Sequence, residues 1–455
     1  MSKQNKVKRI LYRLTLMALV FTLAACSENV DREFVQLEIY PLVKDHTHGS
    51  TIVELPNGDL LAAWFQGSGE RWADDVRIMG ARLTQGSASW TEPFIMADVP
   101  DFPDVNPVLF LDNEKKLWLV WYTVIANQWS TSLPTYRIST NYMQDAGPPE
   151  WDWQQTIFVK PGDKTERGIL PGDKFVRSVE RQVNEYGDYM RNSMGDSEVL
   201  QAQWEWWKTE LMDKARGEDM KRKGHYINEQ GERIDTELGY PWFRRMGWQT
   251  KNKAVLIDNE RIILPLYSDG FSFSLMAITD DYGASWKFSE PLVAPGNIQA
   301  SIAIKSNGNL LAYMRDNGPP PQRLMISESE DRGMTWSMVR DSKLPNPGSG
   351  ADIATLENGH WVLAYNDTEE GRHSLAVSIS TDEGNTWPHT RHLERDERES
   401  RIATQSSYPS IIEGKEGVIH VIYSYHRRDM DGKPNETIKY ARITEEWIIE
   451  GDQKK

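Results

Sequence analysis

The chain has 455 residues, of which 39% are hydrophobic and 26% charged, and its formal net charge is −15 at pH 7. That acidic balance excludes a nucleic-acid-binding surface, which needs clustered Lys and Arg to neutralise phosphates. A single cysteine excludes an intramolecular disulfide.

In chain order, the first element is a targeting segment. Lys3, Lys6, Lys8, Arg9 and Arg13 precede an apolar stretch at 14–24. The stretch is too short to span a bilayer as a stable helix and has signal-peptide length. It ends in Leu23-Ala24-Ala25-Cys26, which resembles the bacterial lipoprotein box, so Cys26 is the expected lipidation site. Ser27 after it points to the outer membrane of a Gram-negative cell. The expectation is a removed signal at 1–26, a tether at 27–35, and membrane contact through the lipid alone. Loss of five basic residues and no acidic one takes the charge from −15 to −20. An anionic ligand must then be met by a local basic pocket.

From residue 36 onward a polar turn followed by an apolar strand recurs at 56–64, 112–121, 258–264, 306–313, 357–365 and 416–423. Asn57-Gly58, Asn307-Gly308 and Asn358-Gly359 are hairpin turns of the type that needs positive φ. A second element, Ser/Thr-x-Asp-x-Gly-x-Ser/Thr-Trp, recurs at 279–286, 329–336 and 380–387, with degenerate copies at 83–90 and 138–153. Its Asp281, Asp331 and Asp382 lie 50 and 51 residues apart. That is about the length of one four-stranded propeller blade. Six turn–strand copies predict an all-β, six-bladed β-propeller over 36–455.

The interval between the second and third copies is far too long for one blade. The excess, at about 163–247, places Phe175, Val179, Val183 and Tyr186, then Leu200, Trp204, Trp207 and Leu211, at helical spacing. It predicts a largely helical insertion, acting either as a packing cap or oligomer contact, or as a wall or lid over the ligand channel. Nothing in the residues sets an oligomeric state.

In a propeller the first residues of each inner strand face the channel mouth. Counting back from each turn–strand copy gives His48, Asn106, Lys251 or Asn252, Gln299, Ser349 and Tyr408. Such a convergent polar set is the default site. Arg71, Arg244 and Arg245, with Trp72 and Trp248, are candidates for anion and sugar-stacking contacts. Zinc-type Cys/His spacing, a phosphate-binding glycine loop and an EF-hand loop are all missing, so no metal and no cofactor is expected.

Over about 47–441, the insertion apart, the chain resembles the sialidase (neuraminidase) superfamily, whose Asp-boxes the octets match. Gly308-Asn309-Leu310-Leu311-Ala312-Tyr313-Met314-Arg315 is similar to the stretch that carries one of the family's three carboxylate-binding arginines. Arg372, fifteen residues before Trp387, is similar to another. Ser407-Tyr408-Pro409-Ser410-Ile411 is similar to the segment of the nucleophilic tyrosine. Two positions depart. His48, in His46-Thr47-His48-Gly49-Ser50, stands where the first arginine is expected, and Gln299 where the tyrosine-activating glutamate is expected. The acid/base aspartate falls in the loop at 67–76, with Asp75 the best match and Asp74 and Glu70 the alternatives.

The resemblance implies catalytic roles for Tyr408 and Asp75, and His48 and Gln299, at the two departing positions, are the further catalytic candidates. It implies substrate contacts for Arg315 and Arg372, and Asn106, Asn252 and Arg71 are the candidates beside them from the residues themselves. A tyrosine nucleophile, with pKa about 10 when unperturbed, needs a base beside it, and an amide cannot accept the proton. The leading expectation is therefore a sialidase-like exo-acting glycoside hydrolase on an acidic glycan of sialic or uronic type. A uronate-polysaccharide lyase, with His48 or Tyr408 removing the C5 proton, is the second reading. A non-catalytic glycan-binding surface lipoprotein is the third.

Overall fold

Hairpins of alternating apolar residues build the protein, and a left-handed residue sets the turn after each inner strand, with Glu416 (φ 59°) a second one in the last turn. Gly58, Lys115, Asp258, Gly308, Gly359 and Gly417 occupy that position, with φ between 52° and 90°. The computed structural model describes residues 34–163, 168–194, 197–258, 260–398, 404–429 and 432–452. The expected signal segment 1–26, with Cys26, and most of the expected tether lie outside the described residues. The strand Val35–Glu38 begins at the tether's last expected residue.

The chain is mostly β. The first four-stranded antiparallel sheet holds His46–Glu54, Leu60–Gly67, Arg77–Leu83 and Phe94–Ala97. The second holds Asp104–Leu111, Leu117–Val124, Ser132–Ser139 and Trp153–Thr156. A nine-stranded sheet follows. Its first half is built on Trp248–Thr250, Arg261–Ser268 and Phe273–Thr279. Its second half holds Asn297–Ile304, Leu310–Asp316, Arg323–Ser329 and Arg340–Pro345. One parallel pair, Phe273 with Asn297, joins the halves. Asp352–Thr355, Trp361–Tyr365, Ser374–Ser380 and His389–Arg395 form the next sheet. Gln405–Glu413, Ile419–Arg428 and Pro434–Ile443 form the last, completed by Val35–Glu38 from the other end of the chain.

The first strands of successive units pack on one another. His46–Glu54 touches Asp104–Leu111, which touches Trp248–Thr250. Arg261–Ser268 touches Asn297–Ile304, then come Asp352–Thr355 and Gln405–Glu413, and the last packs back on His46–Glu54. Apolar side chains fill the spaces between sheets. Trp64, Trp118, Trp121, Trp248 and Trp361 are fully buried. Each contributes about 4–6 kcal/mol of transfer free energy as an upper estimate.

The octets fold alike. In each, the aspartate accepts from the following Ser/Thr, both backbone and hydroxyl: Ser285 on Asp281 (2.8 and 2.5 Å), Thr335 on Asp331 (2.8 and 2.7 Å) and Thr386 on Asp382 (2.8 and 2.7 Å). The leading hydroxyl accepts from the glycine N–H, at 2.8 to 2.9 Å. Two successive residues are left-handed, Tyr282-Gly283, Arg332-Gly333 and Glu383-Gly384, where the sequence predicts only the glycine. Trp286 and Trp387 reach the neighbouring sheet, edge-on to Tyr136 and Tyr313 at 5.9 and 6.1 Å.

The segment between the second and third units carries helices α1 (Lys174–Met194) and α2 (Glu198–Arg216). After them come a two-stranded hairpin, Arg222–Ile227 with Arg233–Leu238, where helix was expected, and one helical turn, Trp242–Arg245. Phe175, Val179, Val183 and Tyr186 are buried on α1, and Trp204 and Leu211 on α2. All but Tyr186 pack in one cluster with Trp248, Phe271 and Phe273, and Tyr186 packs in the next, with Ile263 and Met276. Gln182 ties α1 to the sheet through Pro291 O (2.6 Å) and Val293 N (2.9 Å). Arg244, a candidate for anion contact, is instead fully buried in an ion pair with Asp173 (2.7 Å). None of the segment's described residues lines the cavity described next, so its packing role is the one visible. Among the described residues no helix is long and apolar enough to cross a membrane.

Candidate active site

Four inner strands break in the same way. Two residues of the inner strand face one of its partner between His48 and Thr51, Val105 and Val108, Ile298 and Ser301, and Ser407 and Ser410. The first extra residue is left-handed each time: Gly49 (φ 65°), Asn106 (46°), Gln299 (58°) and Tyr408 (53°). Each precedes the left-handed residue of its own hairpin by nine positions (Gly58, Lys115, Gly308 and Gly417). Such bulges re-aim side chains. At non-glycine residues they cost about 1–3 kcal/mol apiece, held by surrounding structure. The segment 250–252 does that holding. Thr250 donates to Asn106 O (2.8 Å), Asn252 to Gln299 O (2.9 Å) and Lys251 to Pro409 O (2.8 Å).

The bulges turn Asn106, Gln299 and Tyr408 into one cavity of about 280 Å³, shared with His48, Glu70, Trp129, Tyr267, Asp269 and Arg315 among others. Tyr408 is its centre. The phenol oxygen takes hydrogen bonds from Arg315 Nη1 (2.7 Å) and Gln299 Nε2 (3.0 Å). The ring has His48 at 4.1 Å, Arg372 at 5.4 Å, Lys251 at 5.5 Å and Arg315 at 6.0 Å. Burial pushes the Lys251 ammonium down to about 8, with Asp352 opposing. Burial also lowers Arg372, and Arg315 beside it adds to the push. Among the described residues neither arginine is ion-paired. Arg315 bonds Tyr408, Gln299 and Asn317, and Arg372 the carbonyl of Gly348 (3.1 Å).

Three histidines cluster beside Tyr408, and of them His48 meets its ring. His48 is buried, and burial followed by its cationic neighbours holds it well below the ordinary value, so the ring is neutral. Its Nδ1 has no hydrogen-bond partner among the described residues. His46 is the opposite case. Burial would lower it, but Glu436 (3.0 Å) and Glu70 (3.2 Å) clamp the ring from both sides and raise it to about 9. It is therefore an imidazolium between two carboxylates. His426 lies 3.6 Å from Glu436 and is lowered, burial being the main cause. On the opposite wall, burial raises Asp269 while Arg315 pulls it back.

The placements of the expected residues divide. Tyr408, Gln299, Asn106, His48 and Arg315 line the cavity, and Arg372 adjoins it. Register puts Gly49, not His48, in the position equivalent to Asn106, Gln299 and Tyr408. A Cβ at Gly49 would collide with Asn106 Oδ1 and Phe65, which explains the glycine. Asp75 is not brought to the cavity. It accepts from the Ser68 hydroxyl and amide (2.8 and 3.1 Å), which hold it below its ordinary value against burial, and faces a separate acidic concavity with Asp45, Asp74, Asp98 and Asp101. The loop contributes Glu70 instead. Asn252 is buried behind the cavity and positions Gln299. Arg71 stands at the mouth. Sequence reasoning missed Glu436, His426 and Asp269, for which only their strand or strand-end positions were a signal. Among the described residues no cluster of His, Cys, Asp and Glu fits a metal ion.

A family model described as a BNR repeat-like domain matches residues 58–162 and 206–421. No curated protein matches the chain. In fold the chain is similar to a protein of unknown function from Dyadobacter fermentans (TM-score 0.57, 14% identity, 90% of this chain and 98% of that one). It is similar to the intramolecular trans-sialidase of Ruminococcus gnavus (TM-score 0.53, 15% identity, 90% and 96%). It is also similar to an α-L-arabinofuranosidase of Fusarium graminearum (TM-score 0.51, 10% identity, 91% and 98%). At these identities the likeness is one of fold.

Proposed function

From the premise that this chain belongs to the BNR repeat-like domain family, we propose that it is a six-bladed, sialidase-like propeller enzyme that removes a terminal acidic sugar from a glycan. The observation that carries the reading is the pair Arg315 and Arg372. Two like-charged guanidiniums sit against one tyrosine ring with no carboxylate bonded to either among the described residues. Side-by-side cations with free donors suit an anion, and a sugar carboxylate matches them in bidentate fashion.

With the carboxylate so held, the anomeric carbon faces Tyr408. Its oxygen, oriented by Arg315 and Gln299, releases its proton to solvent and attacks as a phenolate. The leaving oxygen takes its proton through Glu70, which draws it from the His46 imidazolium and so takes the acid/base role in place of Asp75. Glu70 then removes a proton from the water that completes hydrolysis. Gln299 orients the phenol and cannot serve as its base. The positive groups around the ring stabilise the developing phenolate charge. The same reading keeps the protein exported and held to the membrane by a lipid on Cys26.

The test is a panel of sialylated and uronate-containing glycans. New reducing ends without an ultraviolet-absorbing unsaturated product, lost in Tyr408→Phe, are expected. Binding without either signal across the panel would leave a glycan-binding lipoprotein. One observation favours a second reading. His48 is neutral, has an Nδ1 without a hydrogen-bond partner among the described residues and lies tilted against Tyr408, so that nitrogen is open to take a proton as a lyase base does. An unsaturated uronate product that disappears in His48→Ala would establish it.

A further inference from the structure

The mouth of the cavity holds a stack that the proposed chemistry does not use. The Arg71 guanidinium lies 4.9 Å from the centroid of Trp72 and 5.1 Å from that of Trp129. Trp129 lines the cavity. Trp72 stands outside it, 61% exposed. The loop that carries both Arg71 and Trp72 is pinned. Asn127 Nδ2 donates to Arg71 O (2.8 Å), and Ala73 N donates to Glu70 O (3.0 Å). The stack is thus preorganised and continuous with the cavity.

Two features point to a ligand. An indole exposed to that degree beside a cavity offers an apolar face of the kind that stacks on a sugar ring. The guanidinium lies 4.9 and 5.1 Å from the two indole centroids, and its N–H donors have no acceptor among the described residues. A fixed, unpaired planar fork matches a carboxylate. We infer that this ledge is a second subsite, for the sugar next to the one in the cavity, and that this second sugar also bears a carboxylate. The inference rests on the proposed reading of the cavity and narrows it. The substrate is the end of a run of acidic sugars, not an acidic sugar capping a neutral chain.

The test is binding by calorimetry to wild-type protein and to catalytically impaired Tyr408→Phe. One probe set is the mono- and trisaccharides of galacturonate, mannuronate and guluronate, in which every unit is acidic. The other is sialyllactose and a hyaluronan tetrasaccharide beside sialic and glucuronic acid, in which the second unit is neutral. For at least one homouronate the trisaccharide binds about tenfold more tightly than the monosaccharide, the gain expected of one charge-assisted pair plus a stacked ring. Arg71→Gln and Trp72→Ala each remove most of that gain and leave monosaccharide binding and the melting temperature unchanged. The inference is overturned by the lack of a chain-length gain with every homouronate, by an equal gain with the neutral-second-unit glycans, or by variants that weaken monomer and trimer alike. A protein that binds an acidic monosaccharide without a gain loses only the ledge. One that binds no acidic monosaccharide loses the cavity reading too.

Discussion

Replacing Glu436 by Gln removes one jaw of the clamp on His46 while keeping an acceptor for the Thr47 N–H, which Glu436 takes at 2.7 Å. His46 is raised from 6.5 to about 9. At about 1.4 kcal/mol per unit this is on the order of 3 kcal/mol of folding free energy, divided between Glu436 and Glu70. Its sign follows from the raised folded value. The contribution is fully present below pH 6.5, the unfolded value, and is lost as pH rises through about 9. Lys251, lowered to about 8, acts in the opposite direction, because its buried charge is relieved as pH rises through that value. The difference between wild type and variant cancels it. Urea unfolding at a series of pH values should therefore show Glu436→Gln less stable by about 1–2 kcal/mol at pH 6, with the gap closing by pH 10. A gap that is constant with pH, or a His46 resonance titrating near its ordinary value in wild type, would refute the imidazolium clamp.

Four further outcomes follow from the same geometry. Gln299→Glu supplies the missing base beside Tyr408 and should raise hydrolysis of an aryl sialoside, whereas Tyr408→Phe should abolish native turnover; an unchanged Gln299→Glu with loss of activity in His48→Ala alone would move the chemistry to His48. Asp75→Asn should leave turnover within about twofold of wild type, since the side chain serves Ser68, while Glu70→Gln should lower kcat by roughly 100-fold or more, as removal of a general acid does. Gly49→Ala adds a Cβ at φ 65° against Asn106 and Phe65 and should lower stability by about 1–3 kcal/mol in urea unfolding. Asn252→Ala should reduce kcat more than it raises KM, because the residue holds the Gln299 bulge and touches no substrate.

The repeat was legible because its signals are local. An Asn-Gly turn and a Ser/Thr-x-Asp-x-Gly octet need no partner to be recognised, and Arg315, Arg372 and Tyr408 sit at fixed distances from them along the chain. What was illegible depends on register and on contacts across sheets. The nine-residue count from the hairpin's left-handed residue that reaches Asn106, Gln299 and Tyr408 reaches Gly49 in the first strand, and His48 is only its polar neighbour. Asp75 and Glu70 are five residues apart in one loop, and only the loop's fold decides that Ser68 captures the first while His46 captures the second. Glu436 and His426 come from the far end of the chain and reach His46 only through the packing of the last sheet on the first. The hairpin at 222–238 lacks the apolar alternation of a buried strand and so did not stand out from a helical background.

The account turns on Tyr408 meeting the anomeric carbon of an acidic sugar. Fluorinated glycosyl fluorides of sialic and glucuronic acid trap a glycosyl-enzyme, and peptide mass spectrometry locates the bond. The account predicts a single adduct on the peptide that contains Tyr408, absent from Tyr408→Phe and formed faster in Gln299→Glu. An adduct on Glu70 or Asp269, or turnover of the same sugars with no adduct on any residue, would contradict it.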